Sequence, residues 1–238
     1  MAVRRDHRPY GLHRLQHRWN QWWAEYRLKP QLDACGHGLS LIGGRFVYAS
    51  GSNIHLGHHV HMMALAEAPI RLSVFEGMGQ IRVDDHVLIN PGVRIVSADR
   101  VEIGSNCMLA MHCHITDADW HDQRHRIFAP GETAPVIIGN NVWLGDSVKV
   151  LKGVTIGDNT IVGAGAVVTK NLPSNVIAAG NPARIIKSLE TGGGTTREAL
   201  FTMAEPYEAF AEAFAKDRLR GNTLLDWLRS LVLPGPKD

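Results

Sequence analysis

Val83, Ile89 and Ile95 stand six residues apart. Ile103, Leu109 and Ile115 repeat the spacing after an eight-residue step, and Ile138, Leu144, Val150, Ile156, Val162 and Val168 carry it on. An α-helix returns a side chain to one face about every 3.6 residues and a continuous strand every second residue, so a strict period of six fits neither alone. It fits a coil of very short strands joined by tight corners, a parallel β-helix. A second inward position falls four residues after nine of these twelve, at Val87, Val93, Cys107, Cys113, Val142, Val148, Val154, Thr160 and Ala166. Inward residues separated by one outward residue are what a short strand supplies. Small residues at Gly104, Ala110, Gly139, Gly145, Gly157 and Gly163 suit the corners.

Three hexamers close one triangular coil. Val83, Ile103, Ile138 and Ile156 then stack on one side, Ile89, Leu109, Leu144 and Val162 on the second, and Ile95, Ile115, Val150 and Val168 on the third. Coils bury apolar surface only against their neighbours, so both ends need covering. The stretch before residue 83 reads as less regular coils, with Leu56 and Met62 in similar phase and an alternating Ile70, Leu72, Val74 run. The rhythm breaks once more: 23 residues separate Ile115 from Ile138 where six are due, so 17 extra residues leave the coil as a loop over 117–135. Long loops on rigid scaffolds tend to carry function, and this one opens with "TDADWHD".

The ends differ in character. Residues 1–35 form a basic, Trp-rich segment with a helix expected over 12–29; residues 1–29 hold seven Lys/Arg against two Asp/Glu. Residues 36–187 are the solenoid. Residues 188–238 are a helical extension, with a capping-box pattern at Thr195–Glu198, a helix after Pro206 with Tyr207, Phe210, Ala211 and Phe214 on one face, and another from about Asn222 to Pro234. These apolar stripes are expected to cap the solenoid or pack on a sister subunit; attachment of residues 1–29 to a membrane surface is the alternative. No stretch of 18 apolar residues is present, the N-terminus lacks the apolar core of a secretory signal, and three cysteines show no disulfide spacing. A cytoplasmic protein is expected, with possible peripheral contact at the inner face of the membrane. Cys107 and Cys113 read as small core residues. The formal charge of +2 gives no ground for a nucleic-acid partner.

The repeat, above all "VIIGNNVWLGDSVKVLKGVTIGDNTIVGAGAVVTKNLPSNVIAAGNPARIIK" (136–187), resembles the hexapeptide-repeat acyltransferases, in particular maltose and galactoside O-acetyltransferases and the O-acetyltransferases of polysaccharide and lipopolysaccharide synthesis. The resemblance implies an all-β fold, a left-handed parallel β-helix. Parallel crossovers are ordinarily right-handed, so that hand comes from the resemblance alone. It further implies a homotrimer with sites between subunits, acetyl-CoA as donor, and direct transfer to a sugar hydroxyl of a cell-surface glycan precursor without an acyl-enzyme.

Residue by residue, His121 matches the catalytic histidine of such enzymes. A neutral imidazole suits removal of a hydroxyl proton near pH 7, and Asp117 or Asp119 could hold its tautomer; spacing does not choose between them. Ala110, Trp143, Gly145, Asp146, Ala164 and Thr169 match donor-site positions, and Lys170, Arg184 and Lys187 match phosphate contacts. Asp146 departs from the small hydroxyl residue usual at its position. Asn90, His112 and His114 are candidate acceptor contacts, with scaffold surface as the plain reading. Two other functions remain open: N-acylation of an amino sugar, and a zinc-dependent or purely structural β-helix. The chain has 13 His, but they form no clear three-ligand pattern, so no metal is expected.

Overall fold

The computed structural model describes residues 6–75, 77–190, 192, 194–202, 207–233 and 235. The chain divides into two compact units, Asn20–Arg197 and the pair of segments Met1–Trp19 and Glu198–Asp238.

The larger unit is built from three sheets that the chain visits in rotation, with parallel pairing, as far as Val168; its last two strands both join face B. Face A holds Ala34–Cys35, Ile54–Leu56, Ile81–Val83, Val101–Ile103, Val136–Ile138 and Thr155–Ile156. Face B holds Ser40–Ile42, His61–Met63, Leu88–Ile89, Met108–Leu109, Trp143–Leu144, Ile161–Val162, Val176–Ala179 and Arg184–Ser188. Face C holds Val47–Ser50, Ile70–Val74, Arg94–Ser97, His114–Thr116, Lys149–Val150 and Val167–Val168. Each passage A→B→C adds one strand to every sheet, which is a three-sided coil. The first coil starts at Ala34, two residues ahead of the expected boundary.

Register follows the hexamer count. Val83, Ile103, Ile138 and Ile156 are direct partners on face A. Ile89, Leu109, Leu144 and Val162 are partners on face B, and Ile95, Ile115, Val150 and Val168 on face C. All twelve are buried, as are the nine second inward residues including Cys107, Cys113 and Thr160. Burial pushes the Cys107 and Cys113 thiols up to about 12, so neither is a nucleophile near neutral pH. The irregular early coils keep the same phase: Leu56 pairs with Val83, Met62 with Ile89 and Leu72 with Ile95.

Corners repeat as well. At the corner between faces A and B, Asn141, Asn159 and Asn175 take positive φ, which asparagine tolerates better than most residues. Their side chains bond in series, Asn141 Nδ2 to Asn159 Oδ1 at 2.9 Å and Asn159 Nδ2 to Asn175 Oδ1 at 3.0 Å. The N-terminal end of the core is covered by the chain that precedes it. Helix α1 (Tyr10–Trp23) passes into a π-helical stretch, Ala24–Leu28, and Ala24, Leu28 and Trp23 pack with the core that holds Leu41 and Val47. At the other end Arg184–Ser188 folds back antiparallel on Val176–Ala179.

The smaller unit holds the start of α1 with α2 (Ala199–Thr202), α3 (Tyr207–Arg218) and α4 (Leu224–Val232). Tyr10 Oη donates to Glu212 at 2.6 Å, and Asn222 Nδ2 donates to the Asp6 and Arg8 carbonyls. A hydrogen bond from Arg8 is the main cause holding the Asp6 carboxyl at about 2. Thr223 caps α4 by accepting from the Asp226 N–H. Because α2 begins at Ala199, Thr195 is too far upstream to cap it. The Tyr207 side chain and Pro234 lie outside the described residues.

Candidate functional site

The 17 extra residues leave at the corner between faces C and A and form a two-stranded arm. Asp119 N–H donates to Glu132 O, Gly131 N–H to Asp119 O, and Ala134 N–H to Asp117 O, at 2.9, 2.7 and 2.9 Å. A Cβ on Gly131 would lie 2.5 Å from the His121 carbonyl oxygen, so the close pairing of the arm requires glycine there. Toward the tip, Asp122 accepts from the Arg124 and His125 N–H groups, the self-contained turn an aspartate favours.

Three devices fix the base of the arm. Asp117 is fully buried and accepts from Ser97 Oγ at 2.6 Å, Ala98 N–H at 2.8 Å and Asp99 N–H at 3.0 Å. Trp120 Nε1 donates to Thr116 Oγ1 at 3.1 Å, with its ring 6.0 Å from that of Phe75. Lys152 joins both strands of the arm, 2.7 Å from Asp119 and 2.9 Å from Glu132. A cleft of about 220 Å³ opens here, lined by Thr116, Ala118, Asp119, Leu151, Lys152 and Thr169.

His121 is exposed, two residues beyond Asp119 on this anchored arm. Neither aspartate touches its imidazole: Asp117 is spent on the turn after Ser97 and Asp119 on Lys152. Both carboxylates hold the arm in place. Lys152, Ser97 and Glu132 carry no signal in the sequence alone. They lie 20 or more residues from the partners they hold, and no local pattern marks such pairs.

The other candidates fall mostly elsewhere. Asn90, Ala110, His112, Gly145, Asp146 and Ala164 line the corner between faces B and C, where Gly92, His112, Ser147 and Gly165 take positive φ one above another. A Cβ on Gly145 would lie 2.7 Å from the Ala164 nitrogen, so the coils here approach too closely for any side chain. Asn90 Nδ2 donates to Leu109 O, and Asp146 accepts from Ser147 Oγ. Trp143 stands half-exposed on face B, and His114 on the outer side of face C. Thr169 joins the arm at the C–A corner with Lys170 beside it; Arg184, donating to Ala183 O, and Lys187 lie on the closing strand of face B. Five residues of chain, about 16 Å of strand, separate His112 at one edge of face C from Asp117 at the other. One chain therefore keeps its arm apart from its B–C corner. Among the described residues no group of three His, Cys, Asp or Glu is arranged to hold a metal, and no helix is long and apolar enough to cross a membrane.

Residues 135–170 match the family described as bacterial transferase hexapeptide (six repeats). The galactoside O-acetyltransferase of Escherichia coli (strain K12) is 35% identical over 144 residues, 60% of this chain and 57% of that protein. A putative lipopolysaccharide biosynthesis O-acetyl transferase of the same organism is 38% identical over 128 residues, 50% of this chain and 65% of its own length. The chain thus spans less than two thirds of both relatives. In fold it is similar to an N-acyltransferase from Bacillus cereus, solved as a mutant with coenzyme A and an amino sugar nucleotide, at a TM-score of 0.58 and 18% identity, covering 71% of this chain and 89% of that one. The chain carries the bacterial-transferase hexapeptide repeat over residues 135–170 and resembles the hexapeptide-repeat acyltransferases.

Proposed function

We propose that this protein is an acetyl-CoA-dependent O-acetyltransferase acting on a hydroxyl of a sugar or glycan. The observation that carries the reading is the arm: a histidine on the one long excursion of a rigid coil, with the base of that excursion fixed by Asp117, Trp120 and Lys152. Anchoring of this kind sets a catalytic group on a scaffold with little freedom to wander. The coil is left-handed under this reading, and the active form is a homotrimer. Assembly is what brings the arm of one copy to the B–C corner of the next, since a single chain keeps the two apart.

The residues fit the donor. Acetyl-CoA supplies an acyl thioester, activated toward attack. The glycine-lined corner at Gly145 and Ala164 lets backbone groups reach an amide-bearing arm, with Ala110, Asp146 and Trp143 alongside and Thr169 near the reacting end. Lys170, Arg184 and Lys187 give cations for phosphates. His121 takes the hydroxyl proton at a ring nitrogen as the hydroxyl oxygen attacks the thioester carbonyl, backbone N–H groups of the coil wall steady negative charge on the carbonyl oxygen, and the C–S bond then breaks, coenzyme A leaving as the thiol with the proton returned from the imidazole. Asn90, His112 and His114 border the acceptor. Leu15, Trp19, Trp22 and Tyr26, exposed along one helical stripe, are the residues through which the N-terminal segment would meet a membrane surface.

The test is His121→Ala, assayed with acetyl-CoA against paired hydroxyl and amino sugars. Turnover is expected to fall about 10²–10⁴-fold, the usual worth of a general base, with acetyl-CoA affinity largely kept. Near-parental turnover removes His121 from this role, and faster transfer to the amino sugar reassigns the enzyme to N-acylation.

A further inference from the structure

Face C carries a charged row that the acetyl-transfer reading draws on only at His114. Its strands pair in register, so Tyr48, Arg71, Arg94, His114, Lys149 and Val167 form one outward row. Four consecutive rungs are basic groups. Adjacent strands lie about 4.8 Å apart, so the basic run is roughly 14 Å long. Like charges set directly opposite one another destabilise a sheet, and nothing acidic offsets these. Among the described residues no carboxylate forms an ion pair with Arg71, Arg94 or Lys149; Arg71 rests on the Tyr48 ring, 5.2 Å from its centre.

His114 adds an independent sign. Its Nε2 is buried and has no hydrogen-bond partner, although buried polar atoms are ordinarily satisfied. Burial, and then the charges of Arg94 and Lys149, lower its pKa, so the imidazole sits within the field of both cations. The neighbouring row, Ser50, Ser73, Val96 and Thr116, is uncharged; Ser50 and Ser73 offer hydroxyls, and Thr116 is buried with its hydroxyl bonded to Trp120 and Ala118. Thr116, two residues from His114 on the same strand and face, also lines the cleft at the base of the arm.

We propose that the Arg71–Arg94–His114–Lys149 row binds the anionic groups of an acidic glycan, and so selects an acceptor that carries a negative charge on successive sugars. This rests on the acetyl-transfer reading for its purpose, not for its geometry. The Arg71 and Arg94 guanidinium groups on adjacent strands and the Lys149 ammonium two strands further, with the His114 imidazole between them, match a chain that carries negative groups on successive sugars, and the serines beside the row suit sugar hydroxyls. A nucleic-acid strand would call for exposed aromatic faces along the row for stacking; the Tyr48 ring is covered by Arg71, and the His114 imidazole is partly buried.

The experiment titrates two acidic probes, trigalacturonate and a heparin tetrasaccharide, and neutral trigalactose into the full chain. The proteins are the parent, R94Q, R94Q/K149Q, and the control R82Q/R100Q, which removes the same charge from the side of face A. We expect an acidic probe to bind the parent, to weaken at least tenfold in R94Q/K149Q and less in R94Q, and to bind the control as it binds the parent. Trigalactose should bind all four proteins alike. The row is overturned if neither acidic probe binds the parent, or if R94Q and the control weaken binding equally. It is overturned too if a single-stranded oligonucleotide of equal charge binds through the same cations more tightly, or if R94Q/K149Q changes the sedimentation state, which makes the row a contact between copies. Acetyl-CoA consumption with the same sugars separates the two ideas. Row-dependent binding without transfer to any acceptor leaves the row standing and removes the acetyl-transfer reading; transfer that is indifferent to R94Q/K149Q does the reverse.

Discussion

Asp117 makes the anchoring of the arm measurable. Its carboxylate takes three hydrogen bonds inside the protein, two at Oδ2 from Ser97 and Asp99 and one at Oδ1 from Ala98. Asp117→Asn keeps the shape and removes the charge. In the better placement of the amide, oxygen takes the Oδ2 place and keeps the bonds from the Ser97 hydroxyl and the Asp99 N–H. The amide nitrogen then faces the Ala98 N–H, two donors at the 2.8 Å now spanned by a hydrogen bond. One orphaned buried donor costs about 1–3 kcal/mol and the surviving bonds lose their charge assistance, so the substitution should cost about 2–4 kcal/mol. The inward rows of the coil do not include Asp117, so the cost should fall on local opening of the arm rather than on global unfolding. At about 1.4 kcal/mol per decade, the lower figure corresponds to roughly 30-fold faster amide exchange. Hydrogen exchange at Ala98, Asp99, Asp119, Gly131 and Ala134 reads this directly, with the core amides Leu88 and Met108 as reference, and Asp117→Ala should go further. Unchanged exchange at Asp119 and Gly131, or an equal rise at Leu88 and Met108, refutes the idea that this carboxylate pins the arm.

Two further outcomes are expected. Arg184→Ala and Lys170→Ala should raise the acetyl-CoA KM more than they lower kcat, because contacts to remote phosphates hold ground and transition states equally; acetyl-CoA titrating identically into mutant and parent sinks both assignments. Burial first, and the Arg197 charge second, push the His61 imidazole from 6.5 to about 4, so its folded value lies below its unfolded one. The unfolded chain then takes up the extra proton as pH falls through 6.5, and folding stability declines toward pH 4 by up to about 3 kcal/mol. His61→Gln should flatten the denaturant midpoint across that window, and an unaltered slope removes His61 as the cause.

The hexamer count located the three stacks because each row is a local pattern: the positions of Ile103, Leu109 and Ile115 relative to one another decide which sheet each joins. The same arithmetic found the arm, since a break in a period is as visible as the period. What the arm is tied to was not legible. Asp117 and Asp119 were candidates to orient an imidazole, and the structure gives both other partners, because the turn at Ser97–Asp99 and the amine of Lys152 are 18 or more residues away. The cationic row was hidden for the same reason. Arg71, Arg94, His114 and Lys149 have irregular spacings in sequence and become neighbours only once the coil is wound. Helix α1 ended earlier than the Trp-rich pattern suggested, giving way at Ala24 to a π-helical stretch that turns Ala24 and Leu28 into the core.

The arm leaves the coil at a corner and returns to it one strand later, and this separates two kinds of sequence change. Inserting one residue within a strand such as Val136–Ile138 would turn the side chains beyond it to the wrong side of the sheet, and the error would pass to every later coil. Inserting residues between Asp122 and Phe128, beyond the last backbone bond that closes the arm, alters no strand pairing at all. The scaffold and its excursion can therefore vary independently: the tip is free to be lengthened, shortened or rewritten without retuning the coil, so a lineage built on this plan can exchange what its arm meets while the rest of the molecule stays as it is.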